Sequence, residues 1–399
     1  MAAMEKNNKN LNVPNLRFPE FSGEWERHSL GEIGSTLIGL TYSPADVVKE
    51  DGVIVLRSSN IQDGEIDYKD LVRVNKKIKD SLFTKKNDIL ICARNGSSRL
   101  IGKNALISDD DTGHSYGAFM MVYRSEANPY VRQLLCTKRY FAQVGENLGA
   151  RINQITTSDM NSFEFFFPQS KEERNKIALF LRLIDERIST QKKIIEDLKK
   201  LKDAITHFHY KNELSHSPMV YIGQYITQVS KRNKDAKIDR VLSISNKYGF
   251  INQNEQFEDR EVASADTSNY KVVHKGDFAY NPARINVGSV ARLQEFENGI
   301  VSPMYVCFTA KKGLLPAYFE LYLSTSIFKH EMNKRLEGSV RLCLTYESLC
   351  NIKIALPEFN VQKDFVSKVS AILTKIMAEE RLLYLYHNCK QYLLSQMFI

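Results

Sequence analysis

The feature that most constrains this fold is a strand, proline and long-helix pattern that occurs twice. The first copy runs from the apolar residues 163–167 through Pro168 into a charged, helix-compatible stretch from residue 172 to about residue 208. The second runs from Asn351 through Pro357 into a similar stretch that continues to residue 399. The two prolines lie 189 residues apart, whereas solenoid repeats span roughly 20 to 50 residues. The sequence therefore predicts a duplicated globular domain, each copy followed by a helix.

Other positions match at the same 189-residue offset. Some are identical and others exchange one apolar residue for another. The pairs are Asp88 with Asp277, Gly149 with Gly338, Ile155 with Leu344, Thr156 with Thr345 and Met160 with Leu349. So many coincidences at a single offset favour a true internal repeat.

Length and composition agree with two globular domains. A chain of 399 residues exceeds what one hydrophobic core comfortably supports. Hydrophobic residues make up 43% and charged residues 26%, as in soluble proteins. No run approaches the roughly 18 apolar residues that span a bilayer, and residues 1–12 lack the apolar core of a signal peptide. We expect a cytoplasmic protein.

The predicted fold class is α+β, with two tandem mixed α/β domains and two long α-helices that pair as an antiparallel coiled coil, giving a pseudo-two-fold internal repeat. The predicted segments are a disordered lead (1–14), a first domain (15–170), a first spacer helix (171–215), a second domain (216–357) and a second spacer helix (358–399). Each domain also contains a short helix, near residues 129–143 and 316–333, opened by a proline that suits a first helical turn.

Both long helices carry an apolar seam at alternating spacings of three and four, which is typical of a coiled coil. The residues expected at the helix-pair interface are Ile184, Ile188, Ile195 and Leu198 of the first helix and Leu373, Ile376, Leu383 and Leu394 of the second. Each amphipathic helix needs a partner, and the other helix is the nearest one. An antiparallel pair would place the domains at opposite ends of a rod of about 50 Å. The alternative is two helical hairpins that each pack on their own domain.

Polar clusters follow the predicted strands of both domains and are the candidate contact residues. In the first domain they are Arg57, Asn60, Arg94, Asn95, Arg99, Lys103, Arg151, Asn153 and Gln154, and in the second Ser245, Asn246, Lys247, Arg284, Asn286, Arg341 and Thr345. Arginine can bond guanine and asparagine adenine with two hydrogen bonds each. The net charge of +8 permits an anionic partner without requiring one. For the first cluster, around Arg57, an ordinary turn is an equal alternative.

The sequence contains no convincing catalytic motif. Asn281 and Pro282 suggest an amino-group methyltransferase, but Ala283 and Arg284 depart from that motif and no glycine-rich cofactor loop accompanies it. Asp88 and Asp277 fit strand-leading turns. The six cysteines are scattered without a metal-ligand spacing. His207 and His209 are interpreted as linker residues rather than metal ligands.

Taken together, the order of elements resembles the specificity (S) subunit of type I restriction-modification enzymes. The signatures lie at residues 16–21 with Gly23, Glu24 and Trp25, at residues 87–90 and 275–278, at Phe167-Pro168 with residues 172–177, and at residues 184–188, 198–201 and 393–398. They cover nearly the whole chain. The second domain's opening segment, residues 218–223, departs from the first because it lacks the tryptophan.

The resemblance implies that each domain reads one half of a bipartite, asymmetric DNA site. The helix pair would set the unread spacer and dock two modification (methyltransferase) subunits, which restriction (endonuclease and translocase) subunits would join. The chain itself would be non-catalytic and would hold no cofactor or metal, with AdoMet, ATP and Mg²⁺ bound in partner subunits. The alternatives are a single-chain DNA-modifying enzyme and a non-catalytic coiled-coil assembly protein without DNA readout.

Overall fold

The computed structural model describes residues 12–148, 153–246, 248–253, 266–339 and 341–399. The chain forms two compact units. The first extends to Gln191 and also contains Leu382–Ile399, and the second is Lys192–Arg381. The predicted lead, apart from residues 12–14, lies outside the described residues. Within the described ranges, no helix is long and apolar enough to cross a membrane.

The first unit is built mainly from short strands. They are β1 (Glu26–Ser29), β2 (Ser35–Ile38), β3 (Val47–Val48), β4 (Val53–Leu56), β5 (Ile61–Gln62), β6 (Glu65–Ile66), β7 (Val72–Val74), β8 (Ile89–Cys92), β9 (Asn104–Leu106), β10 (Ser115–Tyr116), β11 (Met120–Arg124) and β12 (Glu164–Phe167). The helices are α1 (Leu30–Ile33), α2 (Asn128–Leu134), α3 (Lys138–Leu148), α4 (Thr157–Ser162) and the start of α5 (Lys171–His216). Single turns of 3₁₀ helix lie at Pro44–Asp46, Ser58–Asn60, Asp80–Leu82 and Ser98–Leu100.

The second unit repeats this plan. Its strands are β13 (Met219–Tyr221), β14 (Ile226–Val229), β15 (Val241–Ser245), β16 (Gly249–Asn252), β17 (Lys271–His274), β18 (Phe278–Tyr280), β19 (Val290–Arg292), β20 (Asn298–Val301), β21 (Val306–Ala310) and β22 (Lys353–Ala355). Its helices are α6 (Ile222–Tyr225), α7 (Pro316–Ser324), α8 (Ser326–Asn333), α9 (Tyr346–Cys350) and α10 (Phe359–Met397), with a 3₁₀ turn at Ile285–Val287.

One sheet corresponds strand by strand between the two units, whereas the second sheets share a parallel pair but differ in strand order. An antiparallel four-stranded sheet has the order β2-β11-β8-β9 in the first unit and β14-β21-β18-β19 in the second. A second sheet contains a parallel pair in each case, β4 with β10 and β15 with β20. The strand before each long helix pairs with the strand that opens its domain, β12 with β1 and β22 with β13. The predicted internal repeat is therefore confirmed.

The turns that lead into β8 and β18 explain why aspartate occurs at both equivalent positions, Asp88 and Asp277. Each carboxylate accepts a hydrogen bond from a backbone N–H three residues earlier, at 2.8 Å in both units. The residues before them, Asn87 and Gly276, have φ of +64° and +95°, the left-handed region that asparagine and glycine tolerate best. Both aspartates are thus structural, as predicted.

The single helix predicted within each domain is in fact two, because a threonine starts a new helix. Thr137 separates α2 from α3, and its hydroxyl accepts a hydrogen bond from the N–H of Tyr140 at 3.3 Å. Thr325 separates α7 from α8, and its hydroxyl accepts from the N–H of Phe328 at 3.2 Å. Such N-caps stabilise a helix start by about 1 kcal/mol.

Helix α5 runs for 46 residues to His216, one residue beyond the predicted spacer helix (171–215). It continues past residue 208 because Tyr210 and Glu213 are buried in the second unit, so its last turns lie against packed surface. His207 and His209 are therefore helical, and the prediction that they belong to a linker is wrong. Helix α10 runs for 39 residues. Each is one continuous helix, not a hairpin.

The two long helices run antiparallel in each unit taken by itself. In the first unit Leu181 lies in the same buried cluster as Leu394 and Met397, while Asp185 pairs with Lys390. Residues later in α5 thus meet residues earlier in α10.

The second unit shows the same direction, with Lys199 pairing with Glu380 at 2.6 Å and His209 stacking on Phe365 at 3.7 Å between ring centroids. The predicted antiparallel pairing is confirmed.

Burial shows which predicted seam positions are covered. Ile188, Ile195, Ile376 and Leu394 are buried, and Ile184, Leu198 and Leu383 are half-buried. Leu373 is 40% exposed, so the seam passes through Ile372 instead. From Val369 to Ile376, a coiled-coil pattern can pass through residue 373 (spacings of four and three) or through residue 372 (spacings of three and four). The structure shows the second.

Candidate nucleic-acid interface

Three polar loops that are distant in sequence converge in the first unit. Asn95 lies at their centre, because its amide Nδ2 donates to the hydroxyl of Ser58 at 3.0 Å and its backbone N–H donates to the carbonyl of Asn153 at 3.3 Å. Asn153 Nδ2 donates to the carbonyl of Gly96 at 3.0 Å. The loops after β4, after β8 and before α4 therefore form one continuous surface.

The predicted contact residues of this surface differ in their accessibility. Arg94 and Arg99 are exposed, while Asn95, Lys103, Asn153 and Gln154 are half-buried. Arg94 forms a β-bridge with Gln154. Arg151 lies outside the described residues.

Asn60 and Arg57 form contacts within their own loop. Asn60 is fully buried, accepts from the N–H of Arg57 at 2.9 Å, and donates to the carbonyls of Asp67 and Asp70, each at 2.9 Å. Its amide thus holds the loop in shape, which corrects its prediction as a contact residue. The half-buried Arg57 guanidinium pairs with the Asp70 carboxylate at 2.7 Å.

The corresponding loops also converge in the second unit. The N–H of Leu344 donates to the carbonyl of Pro282 at 3.1 Å, which joins the loop after β18 to the loop before α9. A Cβ atom at Gly288 would lie 3.9 Å from that of Asn246, so the loop after β15 lies alongside. The same three segments of the repeat meet in both units.

The predicted contact residues of the second unit are mostly accessible. Asn246, Arg284, Asn286, Arg341 and Thr345 are exposed, and Ser245 is half-buried. The Thr345 hydroxyl also caps α9, accepting from the N–H of Ser348 at 3.1 Å. Lys247 lies outside the described residues.

The chemistry of these surfaces suits an anionic, hydrogen-bonding ligand. Residues 94–103 and 282–289 contribute arginine, lysine, asparagine and serine but no acidic residue. Such groups bind phosphates and the edges of bases.

The thiol beneath the first surface is unreactive, and the described residues hold no metal-binding cluster. Beneath the first surface, burial raises the pKa of the Cys92 thiol to about 11, so this thiol stays protonated and is a poor nucleophile. Across the part of the chain that the structure describes, no group of His, Cys, Asp and Glu side chains is placed to hold a metal ion.

Sequence reasoning missed exposed apolar side chains at these surfaces, Phe119 and Met304 among them, because it searched only for polar ones. Phe119 is 59% exposed in the first unit, and the guanidinium carbon of Arg94 lies 5.2 Å from its ring centroid. Met304 is 62% exposed in the second unit, with Asn281 Nδ2 at 3.7 Å from its sulfur. No periodicity marks either residue, since each lies in a turn before a strand.

This chain is similar in sequence to known proteins. Residues 22–200 match the family model described as the type I restriction modification DNA specificity domain. The EcoKI specificity subunit of Escherichia coli K12 is 22% identical over 382 residues, which covers 87% of this chain and 82% of that protein. The StySPI specificity subunit of Salmonella potsdam is 25% identical over 199 residues, covering 45% and 41% respectively.

Solved structures show the same fold. The type I restriction-modification S subunit from M. genitalium has a TM-score of 0.58 at 16% identity, and the alignment covers 97% of this chain and 99% of that one. A chain from a type I R-M system studied for its complex assembly has a TM-score of 0.54 at 12% identity, covering 95% and 98%.

Proposed function

Because this chain belongs to the family of type I restriction-modification DNA specificity subunits, we propose that each of its domains reads one half of a bipartite, asymmetric DNA site. The observation that carries the proposal is the repeated frame with different loops. Where the first domain has Arg94 and Asn95, the second has Ala283 and Arg284 at the same offset. One scaffold with two sets of hydrogen-bonding side chains would prefer two different half-sites.

The family match does not favour an assembly protein without DNA readout. The chain is a non-catalytic subunit, and the chemistry belongs to its partners. We place AdoMet, ATP and Mg²⁺ in those partner subunits and the whole complex in the cytoplasm.

Exposed apolar side chains on α5 support the docking of two modification subunits, which restriction subunits would join. In the second unit Ile194, Leu201 and Phe208 are 40%, 49% and 72% exposed and are spaced by seven residues, so they share one face of α5. In the first unit Leu179 and Leu183 are 47% and 49% exposed and are spaced by four. Several exposed apolar side chains on one helix face are a feature of protein interfaces.

The experiment that tests DNA readout is single-molecule sequencing of adenine methylation in cells that carry the cognate modification subunits. With this chain present, we expect a bipartite methylated motif that disappears when the chain is deleted. Arg94→Ala should relax the motif in one half only, and Arg284→Ala in the other half only. Arg27→Ala is the matched control, because this arginine is also exposed but lies on β1, outside the candidate contact loops and outside α5. An unchanged methylation pattern on deletion would refute the proposal.

Partner docking is tested by co-purification of the modification subunits with helix variants. Leu201→Asp should lose the partner while the melting temperature of the isolated chain stays unchanged, because the leucine is half-exposed. Lys193→Asp introduces the same acidic group on α5 at an exposed position outside the face that carries Ile194, Leu201 and Phe208 and should retain the partner. Equal retention by both variants would refute this placement of the interface.

A further inference from the structure

Phe119 and Met304 are large apolar side chains that stay exposed beside polar loops. The next residue along the chain is covered in each case, with Met120 at 1% and Tyr305 at 9% exposure. A single exposed apolar side chain is ordinary on a protein surface. Two of them at one position of a repeated fold need an explanation.

The strand register shows that the two positions are equivalent. Met121 pairs with Ile91 between β11 and β8, and Val306 pairs with Tyr280 between β21 and β18. Ile91 and Tyr280 are 189 residues apart, the offset of the repeat. The exposed side chain lies two residues before the paired strand residue in both units. The loops around it have changed their polar residues, yet this position is large and apolar in both.

Both side chains lie beside loops that carry candidate contact residues. The carbonyl of Phe119 accepts hydrogen bonds from the N–H groups of Ala93 and Arg94, at 2.9 and 3.0 Å. This fixes the phenylalanine beside the arginine that the proposed function assigns to DNA. The contact between the Asn281 amide and the Met304 sulfur places the methionine beside the loop that carries Arg284.

Phenylalanine and methionine are both large and apolar, and neither side chain has a strong hydrogen-bonding group. The one apolar group that the major groove displays is the 5-methyl group of thymine. We propose that Phe119 and Met304 each contact the 5-methyl group of a thymine in the half-site that their domain reads. This inference rests on the proposed function and adds a specificity-determining residue to each domain.

The test measures binding of the assembled complex to a duplex that carries the methylated motif, with each thymine replaced in turn by deoxyuridine. This replacement removes only the methyl group, and burial of a methyl-sized group corresponds to about a fourfold change in affinity. We expect one thymine in each half-site to show this loss. Phe119→Ala should abolish the thymine preference in the first half-site only, and Met304→Ala in the second only, so each variant controls for the other.

A conservative variant and a melting curve separate this effect from misfolding. Met304→Leu retains an apolar side chain of similar volume and should keep the thymine preference, and all three variants should melt as the wild type does. The inference is overturned if no thymine is sensitive to deoxyuridine, if the half-sites contain no thymine, or if the preference survives in Phe119→Ala. It is also overturned if the variants lose affinity equally for thymine and deoxyuridine together with a change in DNA bending, the behaviour of an inserted wedge.

The failure of this inference is distinguishable from failure of the proposed function. If the wild-type complex binds the motif no better than a scrambled duplex, the proposed function itself fails. If it prefers the motif but shows no response to deoxyuridine, only the methyl contact fails.

Discussion

Arg17 and Glu173 form a buried ion pair that fastens the N-terminal segment to the first turn of α5. Arg17 Nε and Nη2 donate to the two carboxylate oxygens at 2.7 and 2.8 Å, and Trp25 Nε1 donates to the same carboxylate at 3.3 Å. Glu173 is only 1% exposed. The carboxylate therefore depends on these donors for the solvation that water would otherwise provide.

Removal of the arginine should destabilise the first unit strongly. Arg17→Ala leaves the Glu173 carboxylate buried with fewer donors, and we expect a loss of about 3 kcal/mol in the free energy of unfolding, measured by chemical denaturation. Arg27→Ala removes the exposed pair with Glu164 and should cost less than about 1 kcal/mol. Similar losses in the two variants would show that Arg17 does not stabilise a buried charge.

Gln362 occupies the position of Glu173 in the second copy, 189 residues later. It is an uncharged side chain whose buried polar atoms are also hydrogen-bonded. It is fully buried, accepts from the N–H of Leu315 at 2.8 Å, and donates to the carbonyls of Gly313 and Pro357, each at 2.9 Å. Gln362→Glu would place a carboxylate against two carbonyl oxygens, at a cost of about 3 kcal/mol or more.

The pH dependence of Gln362→Glu identifies the cause of that loss. Protonation of the new carboxyl restores one donor, so the destabilisation should be smaller at pH 4 than at pH 7, as chemical denaturation at both pH values would show. Gln362→Met introduces no charge, so its destabilisation relative to the wild type should be the same at pH 4 and at pH 7. A loss in Gln362→Glu that is equal at both pH values would contradict this account.

The repeat explains why much of the fold could be predicted and this exchange could not. The roles of Asp88 and Asp277 could be predicted because each depends on a local turn, and that turn occurs in both copies of the repeat. The partner of Glu173 is instead set by an N-terminal segment that differs between the copies, with Trp25 in only one of them. An offset finds equivalent positions, but the partner of a buried side chain depends on segments far away in the chain.

The candidate site was predicted in the same partial way. Strand-end loops with arginine and asparagine could be recognised, and the structure brings them together. Residue type alone does not show that Asn60 bonds inward to its own loop, nor that Phe119 faces outward. Both depend on the backbone path of the loops, which side-chain chemistry does not reveal.

The helix seam gives a direct comparison between two neighbouring positions of α10. Ile376 is 5% exposed and Leu373 is 40% exposed. Ile376→Asp should lower the melting temperature of the second unit by several degrees, because it buries a charge in an apolar seam. Leu373→Asp should change it little. Circular dichroism melts of the two variants provide the measurement, and a larger effect at Leu373 would restore the seam first predicted from sequence.

We expect His209 to make the stability of the second unit depend on pH. Its ring stacks on Phe365 at 3.7 Å, and its Nε2 lies 3.1 Å from the hydroxyl of Tyr318. Burial holds the pKa of His209 below its usual value of 6.5, with the nearby Lys368 acting in the same direction and Glu213 opposing it. Below pH 6.5 the unfolded chain therefore binds more protons than the folded one, so this contribution is complete above that pH and is lost as pH falls.

His209→Phe should flatten that dependence, because it keeps an aromatic ring against Phe365 and removes the titrating group. The measurement is the melting temperature of the second unit's transition between pH 7.5 and 5. Replacement of the exposed His216 by glutamine should leave the wild-type curve unchanged. His114 in the first unit also has a lowered pKa because of burial, and His114→Gln should alter only the first unit's transition. An equally steep curve in His209→Phe would show that another group controls the acid sensitivity of the second unit.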